Sequence, residues 1–386
     1  SHEGTGTCSD VTEHRLRYPS QGSARMSLIT FGYLISGLVL LVVGAEALVR
    51  GAAKLASRFG IPPLIIGLTV VAFGTSAPET AVSVQASLNG SGDIAVGNVI
   101  GSNIANILLI LGISALIAPL VVSRQLIRLD VPVMIGAGLL CYGLAWNGSI
   151  SRLDGILLLV ALIGYTLFLV LASKRDKPGP GVDEFDTEFG PDAGDKPYAW
   201  VLQLLLILLG LGLLVGGSNL LIEGAVGLAR ALGLSELVIG LTVVAVGTSM
   251  PELATSVLAV IKGERDIAVG NVVGSCIFNL LLVLGAGAAV AANGLSISPN
   301  AQSFDFPVML AVFVACLPIF FSGYCIRRWE GLMFFAYYLA YTLYLVMFAT
   351  GLGAIELLRD AMLWFAFPLT AVTLLVIFLR AWQHQR

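Results

Sequence analysis

Two stretches of this chain are nearly identical. Residues 67–87 read GLTVVAFGTSAPETAVSVQAS and residues 240–260 read GLTVVAVGTSMPELATSVLAV, with 15 of 21 positions the same. A second pair follows at the same offset of 173, because DIAVGNVIGSNIAN at 93–106 matches DIAVGNVVGSCIFN at 266–279 in 11 of 14 positions. Self-similarity at a fixed spacing is the signature of a repeated structural unit. The chain is therefore built from two copies of one unit.

The composition around these stretches is that of a membrane protein. The 386 residues are 57% hydrophobic and 12% charged, with a mean hydropathy of +0.92, whereas soluble domains have about a quarter of their residues charged. The apolar runs approach the ~20 residues that a helix needs to cross a bilayer, and no alternating β pattern competes. We predict an all-α polytopic membrane protein with spans at 28–49, 61–88, 94–118, 129–147, 153–173, 199–222, 236–261, 268–292, 304–322, 329–350 and 360–380.

The repeated unit contains five of these spans, so the copies are spans 1–5 and spans 6–10. Because five is odd, the second copy enters the membrane from the opposite side. We predict two inverted five-helix repeats, at 26–173 and 199–350, plus one additional C-terminal transmembrane helix and a cytoplasmic tail within 351–386. Inverted repeats are typical of secondary transporters, which bind their cargo near the midplane where the repeats meet.

Two further segments are predicted to lie outside the repeats. Residues 1–25 are polar and lack the apolar core of a signal peptide, so we expect a disordered leader or a remnant added to the natural chain. Residues 174–198 are rich in Pro, Gly and acidic residues, which is typical of a flexible cytoplasmic linker.

Lys and Arg are distributed unequally between the two sides of the predicted membrane. With the N-terminus outside, the loops and tail on the inner side carry 15 of them, and the outer loops carry three, apart from three in the leader. Cytoplasmic loops are enriched in Lys and Arg. We therefore place the N-terminus outside and the C-terminus in the cytoplasm.

Each repeat carries the motif G-T-S-x-P-E inside an apolar span, at Gly74–Glu79 and at Gly247–Glu252. Proline lacks an N–H and disrupts the preceding helical turn, and glycine lets the backbone open. We expect each helix to break here and to leave the carbonyls near Ala72 and Ala245 without helical partners. Unpaired backbone at this depth is tolerated only around a cavity or a ligand.

Glu79 and Glu252 are the main candidates for the site. An ionised carboxylate at the middle of a membrane costs ~2.5–3.5 kcal/mol or more, and two of them close together also repel each other. A single such Glu could be protonated or could reach the interface. A symmetry-related pair, each on a broken helix, instead favours a bound cation, which offsets both penalties.

Neutral oxygens surround the two glutamates in the sequence. They are supplied by Thr75, Ser76, Ser102, Asn106, Thr248, Ser249, Ser275 and Asn279, with further amides at Asn98, Asn103 and Asn271. Singly, each could instead make an interhelical hydrogen bond. Together they form an oxygen-only set, which selects Ca2+, Na+ or Mg2+ over zinc and copper. Because Mg2+ gives up its water reluctantly, a transport site favours Ca2+ with Na+.

These motifs resemble the alpha repeats of the cation/calcium exchanger superfamily, over residues 28–350, and prokaryotic sodium/calcium exchangers in particular. The resemblance implies a cell (inner) membrane location and alternating access, in which spans 1 and 6 slide across the other eight. It implies one Ca2+ on Glu79, Glu252 and the carbonyls of Thr75 and Thr248. It also implies Na+ sites at Ala72, Ser76, Glu79, Ser102 and Glu252 and at Ala245, Thr248 and Ser275. Asn279 departs from the family, which often has Asp there, and the span at 360–380 lies outside its ten-helix core.

Other functions are compatible with parts of the pattern. A Ca2+/H+ antiporter would use the same glutamates, although the three histidines lie in the tails and provide no proton relay. A cation channel would need a continuous pore, and a non-transporting scaffold would not need the glutamates. We expect no enzyme and no resident cofactor, since no nucleophile–base pair is visible. The net charge of −3 predicts no nucleic-acid partner, and no obligatory protein partner is evident beyond the lipid bilayer.

Overall fold

The computed structural model describes residues 22–173, 199–231 and 245–351, together with the single positions 360, 371 and 375. The first described copy contains α1 (Gly22–Phe59), α2 (Pro63–Thr75), α3 (Ala77–Leu88), α4 (Gly92–Ile117), α5 (Leu126–Asn147) and α6 (Arg152–Ser173). The second contains α7 (Ala199–Ala231), α8 (Ala245–Thr248), α9 (Met250–Ile261), α10 (Arg265–Val290), α11 (Ala301–Phe321) and α12 (Arg328–Thr350).

Within the described residues, eight helices are long and apolar enough to cross a membrane, and the bent pair α2–α3 makes nine if it is one span. The all-helical membrane architecture is therefore confirmed. Part of the predicted span 236–261 (residues 236–244), the linker 174–198 and nearly all of 351–386 lie outside the described residues. Most of the predicted leader does too, but Gly22 already begins α1.

The helix breaks at the G-T-S-x-P-E motif in both copies. In the first copy α2 ends at Thr75, α3 begins at Ala77, and the two axes meet at 46°. Pro78 lies in the first turn of α3, where its fixed φ suits the start of a helix but it has no N–H to donate to the Gly74 carbonyl. The expectation that Ala72 loses its helical partner is wrong, because the Ser76 N–H donates to the Ala72 carbonyl at 3.1 Å. The bend therefore lies within the predicted motif, at Ser76, but leaves the Ala72 carbonyl inside the helix.

Helices α1 and α7 pack against each other through glycines. A Cβ added at Gly37 would lie 2.8 Å from the Gly217 carbonyl oxygen, and one added at Gly44 would lie 2.8 Å from the Gly210 carbonyl oxygen. Residues nearer the C-terminus of α1 contact residues nearer the N-terminus of α7. The two copies of the first helix therefore run in opposite directions. The pairs are also exchanged by the offset of 173, which takes Gly37 to Gly210 and Gly44 to Gly217.

Both of these helices are longer than predicted. The predicted ends at 49 and 222 are wrong, since α1 continues to Phe59 and α7 to Ala231. Arg50, Lys54 and Arg58 end the apolar run of α1, but Ala52, Ala53 and Ala56 between them are buried. The extension of α1 is therefore stabilised by packing of these small residues, which a search for apolar runs does not detect.

Two short strand pairs tie the repeats together and were not expected in an all-α fold. Strand β1 (Leu120–Val121) pairs antiparallel with β4 (Cys325–Ile326), and β2 (Ser149–Ile150) pairs with β3 (Leu295–Ser296). The first pair joins two loops that the charge distribution places inside, and the second joins two loops that it places outside. Each strand is two residues long, so no alternating pattern could have revealed it.

Candidate cation site

Glu79 and Glu252 occupy equivalent positions at the start of α3 and α9. Each lies in the first turn of its helix, directly after the proline, and is 1% and 0% exposed respectively. The N-terminal end of a helix carries partial positive charge, which stabilises a nearby carboxylate. The break in each span therefore places a carboxylate deep inside the protein and partly compensates its charge.

Each carboxylate is held by a serine of the opposite repeat. The Ser76 hydroxyl donates to Glu252 Oε1 at 3.3 Å, and the Ser249 hydroxyl donates to Glu79 Oε1 at 3.1 Å. Both serines precede their own helix but make no capping bond to it. The sequence predicted these four residues in one site. The structure adds that the serine of each motif bonds to the glutamate of the other motif.

The other hydroxyls of the predicted set converge on the same place. Ser249 Oγ lies 3.4 Å from Ser102 Oγ, and Thr75 Oγ1 lies 3.5 Å from Ser275 Oγ. Ala72, Thr75, Ser102, Thr248 and Ser275 are all buried. Ala245 begins α8, and its side chain lies outside the described residues. Two helices of each repeat, the broken one and the one after it, therefore contribute oxygens to one centre.

Asn106 and Asn279 each begin a π-helical turn in the middle of α4 and α10. Such wide turns often occur at functional sites, because they displace the helix backbone locally. Both side chains are buried, and both atoms of the Asn106 amide and the Asn279 Oδ1 have no partner among the described residues. Asn279 Nδ2 donates to Asn103 Oδ1 at 3.4 Å. In the described structure no hydrogen bond joins either asparagine to a glutamate.

A second asparagine pair holds the glutamate-bearing helices in place. Asn98 Nδ2 donates to the Glu79 carbonyl at 3.2 Å and to Ser83 Oγ at 2.9 Å. Asn271 Nδ2 makes the same contacts to the Glu252 carbonyl at 3.4 Å and to Ser256 Oγ at 2.9 Å.

Asn271 also connects the two repeats, because Thr75 Oγ1 donates to its Oδ1 at 3.1 Å. The sequence suggested this pair only as nearby amides. Its signal was the repetition of Asn98 at the offset of 173, four residues before the repeated serine.

The site holds two carboxyl groups without basic neighbours among the described residues. Among the described residues no Lys, Arg or His forms an ion pair with Glu79 or Glu252, and one oxygen of each carboxylate, Oε2, is buried without a partner. No group of three or more His, Cys, Asp or Glu is found there that could hold a metal ion. A cation at this centre would therefore be bound by two carboxylates and neutral oxygens, a donor set suited to hard cations.

A buried carboxylate pair where two antiparallel copies of a helical unit meet defines a multi-pass membrane protein of the cation-transporter class. The family comparison agrees: the model of the sodium/calcium exchanger protein family matches residues 29–171 and 202–347. The chain belongs to this family, within the cation/calcium exchanger superfamily, and is an antiporter rather than an enzyme.

Several relatives cover most of the chain. It is 43% identical over 290 residues to the putative antiporter CaxA of Alkalimonas amylolytica, covering 75% of this chain and 89% of that protein. It is 42% identical over 304 residues to the inner membrane protein YrbG of Escherichia coli (strain K12), covering 78% and 90%. A solved structure of the sodium-calcium exchanger NCX_Mj matches with a TM-score of 0.69 and 31% identity, covering 81% of this chain and 97% of that one.

Proposed function

We propose that this antiporter exchanges Ca2+ for Na+ across the membrane. The observation that carries the proposal is the pair of buried carboxylates, each with an unpaired oxygen and no basic partner among the described residues. Two such charges together are stable only when a cation shares them. A divalent ion neutralises both at once, and several Na+ ions can replace it. The likeness to a protein named a sodium-calcium exchanger favours the same pair of ions.

The proposed ligands follow the symmetry of the site. Ca2+ binds Glu79 and Glu252 with the carbonyls of Thr75 and Thr248. Na+ binds in two flanking groups, one formed by Ala72, Ser76, Glu79, Ser102 and Glu252 and one by Ala245, Thr248 and Ser275. The Ala72 carbonyl accepts from the Ser76 N–H at 3.1 Å and from the Thr75 hydroxyl at 3.4 Å, and a bound Na+ would take the place of the hydroxyl on its second lone pair.

Asn106 and Asn279 complete the proposed set from the opposite side. Their unpaired buried oxygens support this role, because a polar atom buried without a partner is costly. Ser76 and Ser249 already bridge to the carboxylates, so they can turn toward a bound ion without leaving the site.

Alternating access is the proposed mechanism, with two inverted repeats at 26–173 and 199–350 and an additional helix near the C-terminus. The antiparallel packing of α1 on α7 supports the inversion. The proposed orientation has the N-terminus outside and the C-terminus in the cytoplasm, in the cell membrane of a prokaryote. The relative YrbG is named an inner membrane protein, which favours this location.

Radioactive Ca2+ uptake into proteoliposomes tests the proposal. Vesicles containing the full chain are loaded with Na+ and diluted into Na+-free buffer, and a parallel sample receives only a pH gradient. We expect Na+-driven uptake that is lost in Glu79→Gln and in Glu252→Gln. The matched control is Glu223→Gln, which removes a carboxylate exposed on α7.

The same experiment separates the remaining alternative. A Ca2+/H+ antiporter is compatible with the site, since the two unpaired carboxylate oxygens can also take protons. Uptake driven by the pH gradient and indifferent to Na+ would assign protons as the counter-ion. Normal uptake in both glutamine variants would show that transport does not need either glutamate.

A further inference from the structure

The two ends of the α1–α7 pair are packed differently against the rest of the protein. Helix α1 packs along α9, whereas no comparable packing joins the equivalent pair α7 and α3 within the described residues. Thr255 on α9 is fully buried, but its counterpart Val82 on α3 is 36% exposed. A cavity of about 540 Å³ opens beside α3, lined in part by Val82, Gln85 and Asn89. The α1–α7 pair therefore packs on α9 of the second repeat and leaves α3 of the first more open, although α1 also contacts α2.

An ion pair lies at the packed end. Lys262 Nζ, just after α9, is 2.6 Å from Glu46 Oε1 on α1. Their side chains are 23% and 32% exposed, so the pair lies at the edge of the contact rather than in the core. Glu46 is also paired with Arg50, one turn further along α1.

The equivalent positions at the other end of the pair do not repeat these charges. The offset of 173 takes Glu46 to Asn219, Arg50 to Glu223 and Lys262 to Asn89. Lys262, which pairs with Glu46 between α9 and α1 at the packed end, thus corresponds to Asn89 beside the cavity at the other end. The glycines that follow these two positions, Gly90 and Gly263, have positive φ angles of 75° and 84°, so the backbone is the same and only the charges differ.

We propose that the Glu46–Lys262 pair is a one-sided latch that holds α1 against α9 and so makes access to the buried site easier from the α3 side than from the α9 side. This inference rests on the alternating access of the proposed function. By the charge distribution, the α9 side is cytoplasmic.

Arg50 makes the latch reversible. When α1 moves along α9 and leaves Lys262 behind, Glu46 keeps its partner on the same helix and is not left unpaired. A partly exposed ion pair of this kind shifts an equilibrium by up to about fivefold. That is a bias between access states and not a lock.

Cysteine accessibility tests the latch without depending on transport. Single cysteines replace Ala81 beside the cavity or its counterpart Ala254 on α9, in a full-length chain whose native cysteines are changed to serine. Both are labelled with a maleimide in the detergent-solubilised chain, where the reagent reaches both sides. We expect faster labelling at position 81 than at 254 with the latch intact. Lys262→Asn should raise labelling at 254 relative to 81 by up to about fivefold.

A double-mutant cycle assigns the effect to the pair. Glu46→Gln should act like Lys262→Asn, and the two together should do no more than either alone. The matched control Lys54→Asn removes an exposed lysine from the same end of α1 and should leave the ratio unchanged.

The latch is overturned if Lys262→Asn behaves like Lys54→Asn, or if its full effect remains in the Glu46→Gln background. It is also overturned if positions 81 and 254 are labelled equally when the latch is intact. Each of these results leaves the proposed exchange standing if Na+-driven Ca2+ uptake is observed. If a Na+ gradient does not drive Ca2+ uptake by the unmodified chain, the proposed exchange is wrong, whatever the labelling shows.

Discussion

At the centre of the molecule, the break between α2 and α3 and the break between α8 and α9 carry matching contacts. Ser76 donates to Glu252 as Ser249 donates to Glu79, and Asn98 and Asn271 hold the two glutamate backbones in the same way. At the ends of the same elements the copies differ. The second repeat contacts the α1–α7 pair closely, and the first borders a cavity. Symmetry is thus kept where ions would bind and lost where access would be controlled.

The α1–α7 pair is also tied to the second repeat at the centre. Ser218 Oγ on α7 donates to the Gly247 carbonyl at 2.7 Å. That carbonyl would normally accept from residue 251, which is a proline and has no N–H. The equivalent residue of α1 is Ala45, which has no hydroxyl. The predictions below test whether the two copies are equal at the centre and unequal away from it.

The largest expected effect tests equality at the centre. Glu79→Gln and Glu252→Gln should each weaken Ca2+ binding by about a hundredfold or more, because truncating one member of a buried charged contact costs ~2–5 kcal/mol. Isothermal titration of the detergent-solubilised chain measures both. The two losses should agree within a few-fold. A loss confined to one variant would break the symmetry of the site.

Helix packing gives the next effect. Gly44→Ala places a Cβ 2.8 Å from the Gly210 carbonyl oxygen and the Leu214 nitrogen, and such overpacking costs ~1–3 kcal/mol. Gly212→Ala on α7 meets nothing within 4 Å and should be neutral or slightly stabilising, since alanine favours a helix. Thermal unfolding compares the two variants. Equal melting temperatures would contradict the close approach of α1 and α7.

The sequence predicted the centre well because its signals are local and repeated. Pro78 and Glu79 mark a break and a buried charge by themselves, and their copies at a fixed offset exclude coincidence. What it could not predict depends on contacts between distant elements. The exchange of Ser76 and Ser249, the strand pairs and the continuation of α1 to Phe59 arise only when the two repeats meet. The Ala72 carbonyl was misjudged because the position of a bend within a turn depends on packing.

The asparagine pair should be unequal, in contrast to the glutamates. Asn271 is fully buried and also accepts from Thr75, whereas Asn98 is only partly buried. Asn271→Ala removes the amide partner of the buried Ser256 and Thr75 hydroxyls, which costs ~1–3 kcal/mol or about tenfold in the KM for Ca2+. Asn98→Ala should cost less, because Asn98 is partly exposed and water can take the place of its amide. A larger effect at Asn98 would reverse the proposed order.

The smallest expected effect concerns the tie between α7 and α8. Ser218→Ala removes a single neutral hydrogen bond, which contributes ~0.5–1.5 kcal/mol, so we expect a change in access of about two- to twelvefold at most. Because the bond holds the α1–α7 pair on the second repeat, its loss should raise maleimide labelling of a cysteine at position 254. Ala45→Ser is the converse variant, since it offers a hydroxyl to the equivalent break of the first repeat and should lower that labelling. If both variants shift the labelling in the same direction, the hydroxyl affects only local packing. If they shift it in opposite directions, the difference between Ala45 and Ser218 helps to set which side of the site is open.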